Sequence, residues 1–334
     1  MERIKLIARL LSAMLIAMIR RAFRRIFRGP IVSTWSWSVE MTVVAARAFI
    51  EASSQNGDRT ERRSLEAGFN PKLPKPLRGL ISVSPDCVGG IDGEWHERGG
   101  LLRDQATILY LHGGAYISGS PATHRRFVAQ LVWATHTRAF VAAYRIAPAH
   151  PFPAAVDDAV AVYLGLLDEG IGPEGIVVAG DSAGGGLAAA LLLRLRDEGR
   201  KLPAAAILYS PYTDLEHSGT SIARNRQTDY LPLGESRTNT EYLGSADPRD
   251  PYASPMYGDF TGIPPMLILA GGKEMILDDS IRLAEAARRT GAEVELIVED
   301  DMFHVWPALL PHHPATARTL ARSAEFIMER VPGD

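Results

Sequence analysis

A short Gly-x-Ser-x-Gly motif at residues 180–184 limits most strongly what this chain can fold into. It follows the apolar run Ile176–Ala179 and precedes the helix-like run Leu187–Leu195. A turn this tight between a strand and a helix tolerates almost no side chain at its flanks, and it exposes the serine hydroxyl above the edge of a sheet. The motif alone is weak evidence, because glycine-rich turns into helices are common. In this context it predicts that Ser182 is a nucleophile.

A glycine-rich segment at residues 112–115 supplies the second part of such a site. Its sequence is His-Gly-Gly-Ala, and it directly follows the apolar run Thr107–Leu111, which is typical of a buried strand. Consecutive glycines let the backbone come close to a ligand and point N–H groups at it. In an acyl-transfer enzyme such groups bind the oxyanion, together with the N–H of the residue after the nucleophile. The expected oxyanion donors are Gly113, Gly114 and Ala183.

The general base and the acid are predicted from the loops after two later strands. His304 follows a strand-like segment, so it lies at the carboxyl ends of the strands, where a base must lie to reach the serine. The loop after Met266–Ala270 carries three candidates for the acid, Glu274, Asp278 and Asp279. Asp278 stands where a helix begins and can cap its N–H groups, whereas Glu274 has no such duty. We therefore predict Glu274 as the acid, with the two aspartates as alternatives.

Together these motifs resemble the hormone-sensitive-lipase family, the bacterial family IV esterases, over roughly residues 75–330. The segments that carry the resemblance are residues 112–114, 144–155, 180–184, 210–214 and 303–306. The resemblance implies a carboxylester hydrolase of the α/β-hydrolase fold with a cap over its site. It also implies an acid about 30 residues before the histidine, which is the position of Glu274, although the family more often uses Asp there. A further departure is Ala115, where many members have a third glycine.

The resemblance and the local sequence also predict supporting roles for several polar residues. His112 is expected to hold the glycine loop through a hydrogen bond, and Asp181 to hold the turn that carries the serine. In the family, the segment containing Arg145, Asp157 and Asp158 is structural, locking the chain after the fourth strand.

Alternating strand and helix patterns from about residue 76 predict an α/β fold. We expect a mostly parallel eight-stranded sheet with helices on both faces and an antiparallel start. The predicted strands are residues 80–83, 91–96, 108–111, 139–143, 176–179, 206–209, 266–270 and 294–298. The predicted helices are residues 121–135, 156–167, 184–198, 278–290 and 316–329.

The alternation stops between Asp214 and Gly262, a polar stretch too long for a structureless loop in a compact domain. We expect residues 214–262 to form the second segment of a cap. Residues 1–75 lack a strand pattern, contain a loop-like polar stretch at Ser53–Arg63, and are expected to form the first segment. The hydrolase core is then divided between residues 76–213 and 263–334.

The first 30 residues depart from the even charge balance of the chain. They contain eight Lys and Arg residues against Glu2 alone, a local charge of +7. The apolar stretch Leu10–Ile19 is too short to span a bilayer, and the arginines after it do not fit a signal-peptide cleavage site. A cationic amphipathic helix is predicted, with apolar residues at helical spacing: Ile19, Phe23, Ile26 and Phe27. We expect this stripe to pack on the enzyme body as part of the cap. A peripheral membrane contact and a cryptic targeting segment are the alternatives.

Composition restricts the other partners. The net charge of −3 over 334 residues gives no indication of nucleic-acid binding. Cys87 is the only cysteine, which excludes an internal disulfide and fits a reducing compartment, so a cytoplasmic location is expected. The histidines show no metal-ligand spacing against one another, and the expected chemistry needs neither a metal nor a cofactor. A homodimer is left open.

The predicted function is hydrolysis of a small-molecule ester through an acyl-enzyme, with Ser182, Glu274 and His304 as the catalytic residues. A cap favours small, partly apolar esters, so short-to-medium acyl chains are expected. Lactones and acetylated small molecules are alternatives. Some relatives keep the fold as small-molecule receptors and have lost the histidine, whereas His304 is present here.

Overall fold

The computed structural model describes residues 2–54, 72–99, 106–232 and 238–331. An eight-stranded sheet forms its centre. The strands are β1 (Ile81–Val88), β2 (Ile91–Arg98), β3 (Thr107–Leu111), β4 (Arg138–Ala142), β5 (Ile176–Asp181), β6 (Ala205–Tyr209), β7 (Met266–Gly271) and β8 (Val294–Glu299). Their order across the sheet is β1-β2-β4-β3-β5-β6-β7-β8. The β1–β2 and β2–β4 pairs are antiparallel and the other pairs are parallel, which confirms the predicted sheet.

Helices cover both faces of this sheet. They are α1 (Glu2–Arg28), α2 (Trp37–Ser54), α3 (Pro121–Thr135), α4 (Ala154–Asp168), α5 (Ala183–Asp197), α6 (Ser221–Arg224), α7 (Thr238–Leu243), α8 (Leu277–Arg289), α9 (Trp306–Leu309) and α10 (Pro314–Arg330). Short 3-10 turns lie at Pro173–Gly175 and Pro255–Tyr257. The five predicted helices correspond to α3, α4, α5, α8 and α10, with ends that differ by at most two residues.

The alternation of side chains along the strands produces two apolar cores. In β3, Leu109 and Leu111 point to the face that packs against α4, α5 and α8. Ile108 and Tyr110 point to the opposite face, which packs against α3 and α10. Successive side chains of a strand point to opposite faces, so a strand that is covered on both sides must be apolar throughout. This is why the central strands are continuous apolar runs.

The first strand and the loop predicted at Ser53–Arg63 are among the segments whose predicted boundaries the structure shifts. The first strand continues beyond the predicted residue Val83 to Val88, passing through Pro85. Proline is tolerated there because β1 is an edge strand, and its other side has no partner strand to which an N–H must donate. The loop predicted at Ser53–Arg63 begins later than expected, since α2 includes Ser53 and Ser54. The rest of that loop lies outside the described residues.

Residues 214–262 interrupt the alternation, as predicted, and in their described part they form only α6, α7 and a 3-10 turn. Their first residues are attached to the core by Asp279, whose carboxylate accepts the N–H groups of Thr213 and Asp214 at 2.8 and 2.9 Å. The guanidinium of Arg47 on α2 donates to the carbonyl groups of Arg226, Gln227 and Asp229. The helix α2 therefore contacts residues 226–229 of this segment directly.

Candidate active site

Ser182 lies on a sharp turn between the end of β5 and the start of α5. Its backbone has φ 53° and ψ −120°, a conformation that is costly for any residue with a side chain. Both motif glycines are required by close backbone contacts. A Cβ at Gly180 would lie 2.3 Å from the carbonyl oxygen of Gly184, and one at Gly184 would lie 1.9 Å from that of Leu111. The turn thus holds Ser182 in a strained position at the carboxyl edge of the sheet.

The structure brings the predicted nucleophile, base and acid together. Oγ of Ser182 lies 2.9 Å from Nε2 of His304, and Nδ1 of His304 lies 2.9 Å from Oε2 of Glu274. His304 is on the loop between β8 and α9, and Glu274 is on the loop between β7 and α8. His304 is 2% exposed and Glu274 is fully buried, so water does not compete for this contact.

Glu274 reaches His304 with its longer side chain because its carboxylate is fixed at both oxygens. Oε1 accepts the N–H of Gly271 at the end of β7, at 2.8 Å, which leaves Oε2 for the imidazole. The side-chain amide of Asn225 donates to the carbonyl of Glu274 at 2.8 Å and holds the loop itself. This arrangement shows how a glutamate is accommodated at the position where the resemblance implied an aspartate in most members.

The two competing carboxylates contact other groups. Asp278 accepts hydrogen bonds from the hydroxyl of Thr220 and the N–H of Ser221, at 2.9 and 3.0 Å. Asp278 therefore caps the start of α6. It does not cap its own helix, as was expected, since α8 begins after Ile276 without a side-chain cap. Asp279 is buried beneath Thr213 and Asp214, and burial raises the pKa of its carboxyl well above the usual value.

The glycine loop is attached to the serine turn by Asp181. Oδ1 of Asp181 accepts the N–H of Gly113 at 3.1 Å and the hydroxyl of Tyr110 at 2.7 Å. This corrects the expectation that the N–H of Gly113 donates to the oxyanion, because that N–H donates to the carboxylate of Asp181 instead. Among the described residues, the N–H groups of Gly114 and Ala183 have no such acceptor.

Gly114 has a conformation that other residues rarely adopt, with φ 128°, and a Cβ there would lie 2.0 Å from the carbonyl oxygen of Ser118. His112 supports the same loop, as expected. Its Nδ1 lies 2.9 Å from the carbonyl oxygen of Gly113, and its ring stacks on Tyr144 with centroids 4.2 Å apart. Burial, followed by the charge of His124, lowers the pKa of His112 to about 3, so its ring is neutral.

The segment after β4 also has the structural role that the resemblance implied. Asp158 forms an ion pair with Arg145 at 2.6 Å and accepts the N–H of Arg145 at 2.7 Å. Asp157 is exposed on α4 and lies outside this pair.

The electrostatic environment of His304 makes it a stronger base than a free imidazole. Burial alone would lower its pKa, but the hydrogen bond and the charge of Glu274 outweigh this effect, and the pKa is raised above the usual 6.5. An imidazolium that forms at this position is therefore stabilised by the neighbouring carboxylate.

A buried carboxylate that sequence reasoning missed lies beside this pair. Oδ2 of Asp229 accepts the N–H of Met275 at 2.6 Å, and Oδ1 accepts the N–H of Tyr230 at 2.8 Å and that of His304 at 3.4 Å. Asp229 thus connects the loops that carry the acid and the histidine. Burial raises its pKa to about 6. A single Asp within a polar stretch gives no pattern by which this role could have been found.

Over the described ranges, no group of three His, Cys, Asp or Glu side chains is placed to hold a metal ion. No helix in this part of the chain is long and apolar enough to cross a membrane. What the geometry provides is a hydroxyl, an imidazole and a carboxylate in hydrogen-bonded sequence.

Comparison with known proteins agrees with this geometry. The family model of the alpha/beta hydrolase fold matches residues 108–308. This chain is an α/β hydrolase. An acetyl-hydrolase of Streptomyces hygroscopicus is 43% identical over 254 residues, which is 75% of this chain and 84% of that protein. An esterase of Acinetobacter venetianus is 34% identical over 258 residues, which is 75% of this chain and 83% of that protein.

Solved structures place this α/β hydrolase among the hormone-sensitive-lipase family. An esterase of the bacterial hormone-sensitive lipase family superimposes with a TM-score of 0.80 and 36% identity, covering 90% of this chain and all of that chain. An esterase/lipase from an uncultured bacterium gives a TM-score of 0.77 and 39% identity, covering 82% of this chain and 91% of that chain. The family predicted from the sequence motifs is confirmed.

Proposed function

We propose that this α/β hydrolase is a serine carboxylesterase, with Ser182 as nucleophile, His304 as general base and Glu274 as the acid that orients it. The observation that carries the proposal is the pair of 2.9 Å contacts from Oγ of Ser182 through the imidazole to the carboxylate. A hydroxyl is a weak nucleophile until an adjacent base removes its proton. A carboxylate on Nδ1 directs the free lone pair of the ring toward the serine.

In the first half of the reaction, Oγ of Ser182 attacks the ester carbonyl carbon while Nε2 of His304 accepts the hydroxyl proton. The resulting tetrahedral intermediate collapses when the imidazolium returns that proton to the departing alkoxide oxygen. An acyl-enzyme and an alcohol are formed. Glu274 stabilises the imidazolium electrostatically and keeps the ring in one tautomer.

The negative charge of the intermediate needs donors that are already in place. We assign this role to the N–H groups of Gly114 and Ala183, since that of Gly113 donates to Asp181. Ala183 is also the first residue of α5, where unpaired N–H groups favour a negative charge. Removing one such donor typically costs about 10²–10³ in turnover in other enzymes.

In the second half, water replaces the alcohol. His304 takes a proton from the water as its oxygen attacks the acyl carbon, and it then returns the proton to Oγ of Ser182. The carboxylic acid product leaves and the free hydroxyl is restored. The same three side chains and the same oxyanion donors serve both halves, so the scheme as written uses no cofactor.

The expected substrates are esters with short-to-medium acyl chains, because we assign residues 1–75 and 214–262 to a cap. Support for this assignment comes from Arg47, which joins α2 to the carbonyl groups of Arg226 and Asp229. Support also comes from Asp229, which contacts the backbone of His304. A cap that is attached beside the reacting groups restricts the room for a long acyl chain.

Acetyl esters are a second candidate within this class, and one observation favours them. The relative that is 43% identical is an acetyl-hydrolase. A lactone would use the same steps, with the alcohol remaining attached to the acyl group. A non-catalytic receptor role is disfavoured by the complete set of Ser182, His304 and Glu274.

The test is hydrolysis of p-nitrophenyl esters by the wild type and by Ser182→Ala. We expect Ser182→Ala to lose at least about a thousandfold in kcat with an unchanged melting temperature, because only binding and the oxyanion donors remain. The matched control is Ser84→Ala, at an exposed position of β1, which should keep full activity. If Ser182→Ala keeps more than about a tenth of wild-type turnover, the assignment is wrong.

A series of acyl lengths then tests the substrate range. Turnover should be highest between about C2 and C8 and fall steeply beyond about C10, because a closed pocket has a fixed depth. Faster cleavage of an emulsified long-chain triglyceride than of soluble butyrate would contradict the cap assignment while leaving the esterase assignment intact.

A further inference from the structure

The outer face of α1 carries an unusual apolar surface. Six large apolar side chains recur every four residues along this face and form what we call the outer stripe: Ile7, Leu11, Leu15, Ile19, Phe23 and Phe27. All are exposed, and the exposure is greatest near the end of the helix, where Phe23 is 64%, Ile26 70% and Phe27 71% exposed. Contiguous exposed apolar surface of this kind marks an interaction site in a water-soluble fold.

This arrangement corrects the expectation that Ile19, Phe23, Ile26 and Phe27 pack on the enzyme body. Near the C-terminal end of α1, the face toward α2 is instead held by charge. Arg21 and Arg25 both bind the carboxylate of Glu40, which is fully buried in α2. Because these arginines occupy the inner side of the helix, the aromatic residues near its end face outward. At this end of α1 the large apolar side chains therefore face outward, whereas Leu10, nearer the start of the helix, is buried.

Cationic side chains border the outer stripe. Arg20, Arg24 and Arg28 are exposed at four-residue spacing along α1. None of the three forms an ion pair with any residue that the structure describes. Trp37, at the start of α2, is 48% exposed and stacks against the guanidinium of Arg25 at 4.7 Å. An exposed indole that contacts the end of a helix with exposed arginines and phenylalanines is typical of membrane–water interfaces.

We propose that α1 lies on the surface of an anionic phospholipid bilayer, with the outer stripe inserted among the acyl chains and Arg20, Arg24 and Arg28 at the level of the phosphate groups. Charge complementarity selects this occupant. A second copy of the chain would bring a second set of unpaired arginines to the same surface, whereas phosphatidylglycerol supplies the opposite charge. No helix in the described part of the chain can span a bilayer, which fits a helix that lies in the interface plane.

Docking α1 in this way would hold the whole enzyme at the membrane, because the N-terminal helices are fixed to the core. The indole N–H of Trp35 donates to the carbonyl of Asp301 at 2.5 Å, and its ring packs edge-on against Phe303 at 6.2 Å. Both partners lie within three residues of His304. The proposed membrane contact is therefore mechanically connected to the loop that carries the base.

The proposal is tested by co-sedimentation of the full chain with vesicles. One set contains phosphatidylcholine alone, and the other contains about one third phosphatidylglycerol. We expect binding to the anionic vesicles that weakens as salt is raised, and little binding to the neutral ones. Phe23→Gln and Phe27→Gln should each lower the partition coefficient roughly tenfold or more, since each removes an inserted apolar side chain of the outer stripe. Arg20→Gln and Arg24→Gln should each lower it about fivefold.

Matched controls lie on other helices. Met328→Gln changes an apolar side chain on α10 that is 56% exposed, and Arg289→Gln changes an exposed arginine at the end of α8. Both controls should bind anionic vesicles as the wild type does. All variants should hydrolyse soluble butyrate esters normally, which shows that they are folded. Each of the four α1 variants changes one exposed side chain. If one of them fails to fold, the other three still test the proposal.

Three results would overturn the proposal. The first is a wild-type protein that does not bind anionic vesicles, and the second is that the α1 variants bind them as tightly as the wild type. The third is a protein that binds no vesicles, is dimeric by sedimentation and becomes monomeric in Phe27→Gln, which would make a second copy of the chain the occupant. Loss of vesicle binding in the α1 variants alone, with the controls unaffected, would support it.

Discussion

Oε2 of Glu274 lies 2.9 Å from Nδ1 of His304, in a site where neither side chain is more than 2% exposed. The contact joins residues that are 30 positions apart in the chain and stand on the loops after β7 and β8. In this environment the carboxylate favours the protonated imidazole more than it would in water. The consequences for rate and for pH dependence can be measured separately.

Replacing the acid should damage catalysis far more than replacing its neighbour. Glu274→Gln preserves the size of the side chain but removes its charge, and we expect a loss on the order of 10⁴ in kcat as control of the tautomer fails. Asp278→Asn is the matched control, since the side-chain partners of Asp278 among the described residues are Thr220, Ser221 and Arg224. It should cost a few-fold at most. If only Asp278→Asn were crippling in a folded protein, the role of the acid would move to Asp278.

The pH profile should show a base with a raised pKa. His304 must be neutral to accept the serine proton, so kcat/KM should fall as the pH drops through its pKa. Because Glu274 raises that pKa above 6.5, the acidic limb should lie above 6.5. In Ser182→Ala, NMR titration of His304 should give the same value, and adding Glu274→Gln should lower it. A limb at or below 6.5 with no response to Glu274→Gln would contradict this account.

Most of the fold could be predicted because the sheet is covered on both faces. The strands β3, β5, β6 and β7 are buried at every position, so each is a continuous apolar run that is visible in the sequence. At the edge of the sheet the signal is weaker. β1 is largely exposed and contains Pro85, and its far half was therefore missed.

The three residues proposed as catalytic could be named from the sequence because each follows a predicted strand, at the edge of the sheet where the carboxyl ends of parallel strands meet. Two other features could not be predicted, because they depend on the contacts of the folded chain. The direction of the Gly113 N–H depends on the carboxylate of Asp181, which is 68 residues away. The exposure of Phe23 and Phe27 depends on Arg21 and Arg25 finding a buried partner in Glu40, whereas the sequence pattern shows only that a stripe exists.

Removing the carboxylate of Asp181 should uncouple the glycine loop from the serine turn. Asp181→Ala leaves the N–H of Gly113 and the hydroxyl of Tyr110 buried without their acceptor, which should cost about 2–5 kcal/mol of stability. We expect kcat to fall with little change in KM, because the oxyanion donor at Gly114 is displaced and the substrate pocket is not. Asp157→Ala, at an exposed position of α4, is the control for thermal unfolding and kinetics. Wild-type kcat in a folded Asp181→Ala variant would refute this positioning role.

Asp229 should make the stability of the protein depend on pH in a defined window. Its pKa is about 6 in the folded protein against an ordinary value of 3.8, so between these values the folded state binds more protons than the unfolded state. Stability therefore falls as the pH rises from about 4 to 6, by up to roughly 3 kcal/mol for this group. In Asp229→Asn that contribution is absent. The difference in unfolding free energy between wild type and variant should thus shift in favour of the variant across this window.

The same substitution separates the electrostatic effect from positioning. An asparagine keeps one acceptor oxygen where Asp229 receives three N–H groups, including that of His304. We expect roughly a tenfold loss in kcat, since one or more hydrogen bonds that align the base and acid loops are lost. The acidic limb of kcat/KM should also move to lower pH, because the charge of Asp229 contributes to the raised pKa of His304. Asp259→Asn, at an exposed carboxylate, should change neither quantity. Asp229 has neither effect if two results are found together. The difference in unfolding free energy between wild type and Asp229→Asn is then the same at pH 4 and pH 6, and the acidic limb of kcat/KM does not move.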